Sequence, residues 1–395
     1  MAGPATLGGR GYPTRHGVIG RASSKAPIRH LDISLLVSVM LLTALGCVAV
    51  RSASAQLLIA QGADPDRFLK RQLVYFSVAT VAFVVTILGD YRKLAPYTLM
   101  IYGAVLFLLL IVLTPLGDRV SGAQRWIDVG IFQIQPAELM KVAYILLMAT
   151  VLSRNDGRQI GPISGLAPVI QAMFWAAIPA LLIFLQPDLG TASVLFVAGF
   201  AALLVSGVQI RWLLLLLLSG LLAITLALQM DVLEDYQVNR LTAFMDTEAD
   251  VRGTGFNLEQ SKIAIGSGGF TGKGWGQGSQ TNLSYVPEQR TDFIFTAIGE
   301  EKGFLGGLTV LLLFSTILWR CVRTAMLSKD IFGALVASGV AAWFAFQLFV
   351  NVGMTIGIMP ITGIPLPFVS YGGSSLIASF VGVGLVMNIH MRRLV

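Results

Sequence analysis

The stretch Tyr285-Val-Pro-Glu-Gln-Arg-Thr-Asp-Phe-Ile-Phe295 ends a long polar loop and begins an apolar run. It places one carboxylate, Asp292, at the point where the polar sequence becomes apolar. Position alone leaves two interpretations balanced. Asp292 either caps the helix that follows it or carries out chemistry at the surface of a membrane. The composition of the rest of the chain shows whether a membrane is involved.

The composition is that of a membrane protein. Of the 395 residues, 55% are hydrophobic and only 12% are charged, whereas about 25% are charged in a typical soluble domain. The mean hydropathy is +0.75. The two cysteines, Cys47 and Cys321, fall in or beside apolar runs that are far apart in the sequence. We therefore expect two small buried side chains rather than a disulfide or a metal pair.

Apolar runs long enough to cross a bilayer recur along the chain, since a spanning helix needs about 20 mostly apolar residues. The sequence predicts an all-α polytopic fold with about ten transmembrane helices. One domain covers residues 31–395 and follows a disordered basic tail at 1–30. The predicted spans are 31–50, 73–89, 95–115, 136–152, 167–186, 190–209, 211–230, 302–320, 331–353 and 368–389.

The distribution of Lys and Arg predicts the orientation of these spans. Fifteen of these residues fall on the side that holds both termini and eleven on the other side, whereas the acidic residues number four and fourteen. The positive-inside rule then places both termini in the cytoplasm. Topology accounts for the net charge of +7, so membrane lipids are the expected surroundings and a nucleic-acid partner is not indicated.

Loop 231–291 is predicted to lie outside the membrane, and it is far longer than the other connections. Its aromatic and aliphatic residues predict an ordered structure, with a short helix over 257–265. Glycines are dense over 253–278, which favours a turn-rich surface loop over a cradle for a pyrophosphate. A nucleotide P-loop is excluded, because Ser267 and Gly274 stand where that motif requires Gly and a hydroxyl residue.

Several charged side chains fall within or beside the predicted spans. Glu138 and Lys141 share one helix face, where they either neutralise each other or serve a function. Arg125 and Trp126 lie near the predicted outer interface, where a Trp is typical of an anchor and an Arg is suited to bind phosphate. Asp188 is expected to cap the sixth span.

Other polar residues occur late in the chain. Residues 300–302 (Glu-Glu-Lys) form either an acid/base group or an ion-paired helix turn, and the sequence leaves both open. Gln347 and Asn351 share a helix face and are predicted to hydrogen-bond between helices. The proline-rich run 360–368 cannot form a regular helix, and it leads into the polar stretch 370–375. Broken backbone at this depth is expected to be buried in protein or to line a polar cavity.

Five blocks of this sequence together resemble one known family, the SEDS family (shape, elongation, division and sporulation), also called the RodA/FtsW/SpoVE group. The segments 253–257 and 362–367 are more similar to RodA than to FtsW, whereas Arg290 departs from the His that many relatives carry. The matching blocks are Gly122 to Lys141, Gln186 to Thr191, Gln260 to Gly269, Pro287 to Phe295 and Pro365 to Ser375.

The resemblance implies a glycosyltransferase of the bacterial cytoplasmic membrane that polymerises lipid II into peptidoglycan strands during cell elongation. Transfer from a polyprenyl-pyrophosphate donor would invert the sugar, with Asp292 as general base. A class B penicillin-binding protein, a transpeptidase, is the implied partner. No organic cofactor is expected, and a divalent cation (Mg²⁺ or Mn²⁺) stays an open alternative. The candidate residues for binding the substrate and its pyrophosphate are Arg125, Trp126, Glu138, Lys141, Gln260, Ser261 and Lys262.

Two alternative functions stay open at this point. A lipid II flippase would also carry charges at midplane and broken helices, although no clear internal repeat is present. A non-catalytic scaffold would only recruit and activate the penicillin-binding protein. Formation of glycan strands by the purified protein is the property that separates the enzyme from both.

Overall fold

The computed structural model describes residues 30–120, 123–130, 132–154, 165–230, 254–283, 285–286 and 288–393. The predicted basic tail, except for its last residue, lies outside these ranges. So does the part of the long loop over 231–253.

Helices dominate the described chain. Eight of them are long and apolar enough to cross a membrane, counting α3 together with the 3-10 helix Tyr91–Tyr97 before it, and α6 and α7 are shorter apolar helices. These ten elements correspond to the ten predicted runs, and the polytopic all-α fold is confirmed. The α-helices are α1 (Ile33–Ala60), α2 (Arg67–Leu88), α3 (Thr98–Val112), α4 (Pro136–Arg154), α5 (Ala167–Phe184), α6 (Leu189–Val205), α7 (Ile210–Gln229), α8 (Thr254–Ser267), α9 (Ser279–Asn282), α10 (Ile294–Met326), α11 (Ile331–Ile356) and α12 (Gly373–Arg392).

A small antiparallel sheet interrupts the helices between α3 and α4. Its strands are β1 (Asp118–Val120), β2 (Ala123–Asp128) and β3 (Gln133–Ile134), in the order β1-β2-β3. Ile127 pairs with Ile134, and Asp128 pairs with Gln133. The all-α prediction omitted this sheet, although the alternation of apolar and polar residues there has the period of a strand.

Several helices extend beyond their predicted spans, α1 and α10 by the most residues. α1 continues past the apolar run to Ala60, and Arg51 in this extension pairs with Asp66 at 2.6 Å. α10 begins at Ile294 and is broken at Gly303, whose φ of 61° lies in the left-handed region. The backbone N–H of Phe304 donates instead to the carbonyl of Gly269 at 2.9 Å. The residues before the predicted eighth span are therefore a separate helical segment joined to it by a kink.

The interior of the bundle is built around α4 and α12, which are the most enclosed of the spanning helices. Asp188 caps α6 and accepts a hydrogen bond from the N–H of Thr191 at 3.1 Å, which confirms the capping prediction. Cys47 and Cys321 are both free and buried, as expected.

Candidate active site

Asp292 lies in a tight turn immediately before α10. The carbonyl oxygen of Glu288 accepts hydrogen bonds from the N–H groups of Thr291 and Asp292, each at 3.1 Å, and from that of Phe293 at 3.4 Å. Phe293 occupies the N-cap position of α10 and makes no side-chain capping bond, and Asp292 stands one residue before it. The alternative in which Asp292 caps the helix stays a prediction. Asp292 itself is half-buried.

Three hydrogen bonds hold the Asp292 turn, one from α11 and two from the residues that follow the proline-rich run. The buried amide of Asn351, on α11, donates to the carbonyl of Asp292 at 2.8 Å. Ser370 donates its hydroxyl proton to the carbonyl of Thr291 at 2.6 Å. The N–H of Tyr371 donates to the carbonyl of Arg290 at 2.9 Å. Broken backbone and the acidic turn thus satisfy each other's polar groups, as buried irregular backbone requires.

Asn351 also bridges to the proline-rich segment itself, because its amide donates to the carbonyl of Ile364 at 2.8 Å. Asn351 therefore bonds to two non-helical segments, and not between helices as predicted. The prediction is also wrong for Gln347, whose side-chain oxygen accepts from the indole of Trp343 on the same helix. Both side chains lie on the same face of α11, but Asn351 is one turn closer to the Asp292 turn than Gln347 is.

Arg290 places a cation beside the acidic turn. Its guanidinium lies over the ring of Phe68, 4.2 Å from the centroid, and Phe68 packs edge-on against Tyr371 with centroids 5.2 Å apart. A cation held on an aromatic face keeps its charge. Sequence reasoning did not propose Arg290 as a site residue, although its position two residues before Asp292 was visible in the sequence.

Glu300, on the first segment of α10, anchors the glycine-rich loop next to the Asp292 turn. Its fully buried carboxylate pairs with Lys273 at 2.8 Å. It also accepts hydrogen bonds from the backbone N–H groups of Gln280 and Thr281 and from the Thr281 hydroxyl. Gln289 then donates to that hydroxyl at 3.0 Å. Glu300 is therefore ion-paired, but its partner Lys273 comes from the glycine-rich loop and not from the local helix turn that the sequence offered as an alternative. A chain of contacts links Glu300 to the Asp292 turn.

Glu138 and Lys141 form an ion pair at 2.7 Å, with only 2% and 1% of their side chains exposed. The Lys141 ammonium also lies 4.9 Å from the centre of the Trp343 ring on α11. The pair therefore joins α4 to α11, two turns before Asn351. Burial of this extent argues against direct contact of Lys141 with a substrate in this conformation.

Arg125 and Trp126 lie on β2, and both are half-buried. Arg125 donates from Nε to the carbonyl of Gln186 at 2.8 Å, and it also donates to the carbonyl of Pro187. These contacts attach the sheet to the start of α6. The sheet is connected to the Asp292 region through Ser374, whose hydroxyl accepts from the N–H of Gln135 at 2.8 Å.

The remaining candidates lie on α8, which packs against the start of α10 and the end of α11. Ser261 is fully buried; its hydroxyl donates to the carbonyl of Thr355 at 2.8 Å and shares a 2.6 Å hydrogen bond with Thr296. Gln260 is half-buried, whereas Lys262 is exposed. The Lys262 side chain passes over Gly357, where α11 ends. Ser261 is thus a packing residue, and Lys262 is the accessible cation of this helix.

Metal ligation is a separate question. Across the described ranges, no group of three or more His, Cys, Asp or Glu side chains is arranged to hold a metal ion. Participation of Mg²⁺ or Mn²⁺ stays a question for assays with and without a chelator.

Comparison with known proteins identifies related chains over almost the whole length. The sequence profile of FTSW_RODA_SPOVE, described as cell cycle protein, matches residues 32–394. Stage V sporulation protein E of Bacillus subtilis (strain 168) is 37% identical over 362 residues, which cover 91% of this chain and 96% of that protein. Peptidoglycan glycosyltransferase MrdB of Escherichia coli (strain K12) is 36% identical over 372 residues, with 92% and 94% covered.

A solved structure shares the fold. One chain of a peptidoglycan synthase complex, described as coordinating polymerization and crosslinking, superposes with a TM-score of 0.76 at 31% sequence identity. The match covers 92% of this chain and 98% of the other. The similarity thus extends through the helices and the loop that carry the candidate residues.

Proposed function

Since the chain belongs to the FtsW/RodA/SpoVE family, we propose that it is a peptidoglycan glycosyltransferase that polymerises lipid II, with Asp292 as general base. The observation that supports this most directly is the place of the half-buried Asp292 on a turn fixed by Asn351 and Ser370. The protein is a multi-pass protein of the bacterial cytoplasmic membrane. The sequence resemblance to RodA makes cell elongation the proposed setting.

In the proposed reaction a hydroxyl of lipid II attacks the anomeric carbon of a strand held on undecaprenyl pyrophosphate. Asp292 takes the hydroxyl proton as the new carbon–oxygen bond forms, which is typically worth about 10²–10⁴ in rate. The bond to the pyrophosphate breaks on the opposite face of the sugar, so the configuration inverts. The fixed turn matters because a general base must be within hydrogen-bonding reach of the proton it removes.

The departing pyrophosphate needs cations that are already in position. Lys262 is the exposed candidate, and Arg125 is half-buried on the central strand of the sheet. For Lys141 and Glu138 we propose an indirect role, in which the buried pair fixes α4 against α11. Ser261 would position Lys262 through its contacts with Thr296 and Thr355.

The proposed partner is a class B penicillin-binding protein that crosslinks the product. The related solved chain comes from a complex described as coordinating polymerization with crosslinking, and this chain shares its fold over 92% of its length. We propose an equivalent assembly here.

The experiment that tests the proposed function uses purified protein in lipid vesicles with labelled lipid II. Glycan strands are resolved on a gel, and movement of lipid II between leaflets is measured in the same preparation. The proposal expects strands of many units without acceleration of lipid II movement. Acceleration of movement without strands would favour the flippase. Strands that appear only when a polymerising partner is added would favour the scaffold.

A further inference from the structure

A second cluster of charged residues lies at the opposite end of the bundle from Asp292, at the predicted cytoplasmic surface. It is formed by the start of α1 and the ends of α10 and α12. Its members are Asp32, Arg320, Arg323, His390 and Arg393. Three arginines and one carboxylate give this cluster, hereafter the arginine cluster, an excess of positive charge.

The one carboxylate of the arginine cluster, Asp32, already has its own hydrogen-bond and ion-pair partners. Asp32 accepts hydrogen bonds from the Ser34 hydroxyl at 2.7 Å and from the N–H of Leu35 at 3.2 Å, and it forms an ion pair with Arg320. Burial by itself would raise the pKa of Asp32, but the hydrogen bonds from Ser34, Arg320 and Leu35 hold it below its usual value. Asp32 is therefore charged, and its charge is paired with that of Arg320.

The two neighbouring acidic residues, Asp330 and Asp90, lie beside arginines outside the arginine cluster. Asp330 pairs with Arg92 at 3.1 Å, and Asp90 lies 3.6 Å from Arg392. Within the ranges that the structure describes, no salt bridge links Arg323 or Arg393 to a carboxylate. Among the described residues, two of the three arginines thus have no anionic partner.

Arg393 shows this most clearly. Its Nε and Nη1 atoms are buried, and neither has a hydrogen-bond acceptor in the described part of the chain. Burial lowers the pKa of Arg393, and the charges of Arg320 and Arg323 lower it further, whereas only Asp32 acts in the opposite direction. Its place at the end of α12 brings it near the negative end of the helix dipole, but this dipole supplies no acceptor to either nitrogen.

Buried donors of this kind are costly unless they are paired. A guanidinium offers a planar fork of N–H groups that matches the oxygens of a phosphate. We propose that Arg323 and Arg393, with Arg320 beside them, form a binding site for a phosphate group at the cytoplasmic end of the bundle. The phosphate belongs either to an anionic lipid headgroup, which is abundant in that leaflet, or to a soluble phosphate compound. The site is independent of Asp292 and of the proposed polymerase activity.

The test measures lipid binding to the full-length protein by native mass spectrometry, with phosphatidylglycerol as the probe and phosphatidylcholine as the neutral reference. The double variant Arg323→Gln/Arg393→Gln is compared with Lys93→Gln/Lys329→Gln. The control pair removes the same charge from two exposed lysines on the same predicted side. Each cation that contacts the headgroup of an anionic lipid contributes about a five-fold change in affinity, and the two lysines lie outside the arginine cluster. We expect the arginine pair to weaken phosphatidylglycerol binding by about twenty-fold or more, and the control pair to weaken it much less.

Two further measurements identify the source and guard against misfolding. Inorganic phosphate is titrated into protein in phosphatidylcholine nanodiscs while the thermal midpoint is followed. A rise in midpoint with phosphate alone assigns the site to a soluble phosphate, whereas a rise only with phosphatidylglycerol assigns it to a lipid headgroup. Arg393→Met should leave the midpoint in neutral lipid unchanged or higher, because it removes two unpaired buried donors. Equal binding of phosphatidylglycerol by the arginine pair and the wild type, with no response to phosphate, would overturn the proposal, as would an equal loss in the lysine control.

Discussion

The side-chain amide of Asn351 donates to the main-chain carbonyl of Asp292 at 2.8 Å, although the two residues are 59 positions apart. The same amide binds the carbonyl of Ile364. One buried side chain therefore connects α11, the acidic turn and the proline-rich segment. The position of the carboxylate thus depends on contacts between three separate parts of the chain.

Replacing Asn351 by Leu should reduce polymerisation more than it reduces stability. The variant leaves two carbonyls without a donor, at about 1–3 kcal/mol each if they stay dry. Displacement of a reacting group by about 1 Å can cost on the order of 100-fold in rate. Turnover of labelled lipid II and the thermal midpoint are measured together.

Asn388→Leu is the matched control for Asn351→Leu. Asn388 is also buried, at the other end of the bundle. Its amide donates to the carbonyls of Thr86, Ile87 and Gly89, and its side-chain oxygen accepts from Nε of Arg392. The control should lose at least as much stability while the folded protein keeps its turnover. Equal turnover losses in both variants would show that Asn351 acts through stability alone.

Glu300→Gln should loosen the glycine-rich loop. Breaking a buried ion pair costs about 3–5 kcal/mol; the lower end applies here, since 29% of the Lys273 side chain is exposed. Hydrogen exchange measured by mass spectrometry should show faster exchange over 273–283 and no change in α11. Glu259→Gln, an exposed residue on α8 with the same change of charge, serves as the control. Unchanged exchange over 273–283 would contradict the anchoring role.

The Glu138–Lys141 pair is tested by a double-mutant cycle. Lys141→Met leaves the buried Glu138 carboxylate without its ion-pair partner and should destabilise the protein by about 3–5 kcal/mol. Glu138→Gln combined with Lys141→Met removes both charges and should recover most of the stability. We expect turnover to recover with it, because both side chains are almost fully buried. Recovery of stability without recovery of turnover would show that Lys141 contacts the substrate.

Lys262→Ala should abolish most of the polymerisation while the thermal midpoint stays close to that of the wild type. The side chain is exposed, so its loss leaves no buried partner. Loss of one electrostatic contact to a developing anion costs on the order of 100-fold in rate. Lys262→Arg, which keeps the charge, should retain most of the turnover. Full turnover of Lys262→Ala would remove this residue from the pyrophosphate site.

The sequence was sufficient for the membrane helices, because hydropathy is a local property that the bilayer requires of each span. The cap at Asp188 was predictable for the same reason, since a capping bond joins neighbouring residues. The boundaries of α1 and α10 were missed where polar residues continue a helix or where Gly303 breaks it. Local composition predicts neither the polar extension of α1 nor the break of α10 at Gly303.

The environment of Asp292 could not be predicted in the same way. The partners of Asn351 and the connection of Glu300 through Thr281 to Gln289 join distant segments. Such contacts appear only when the chain is folded. The burial of Lys141 also depends on Trp343, which lies on another helix. A charged residue inside an apolar run therefore did not distinguish packing from substrate contact.

The central claim is that the Asp292 carboxylate removes a proton during glycosyl transfer. Asp292→Asn keeps the shape of the side chain and removes its basicity, and Glu288→Gln makes the same change at an exposed acid in the same turn. The measurement is the rate of strand formation from labelled lipid II by each purified protein. The account predicts a loss of about 10²–10⁴ for Asp292→Asn at an unchanged thermal midpoint, and nearly full activity for Glu288→Gln. Strand formation by Asp292→Asn at the wild-type rate would contradict it.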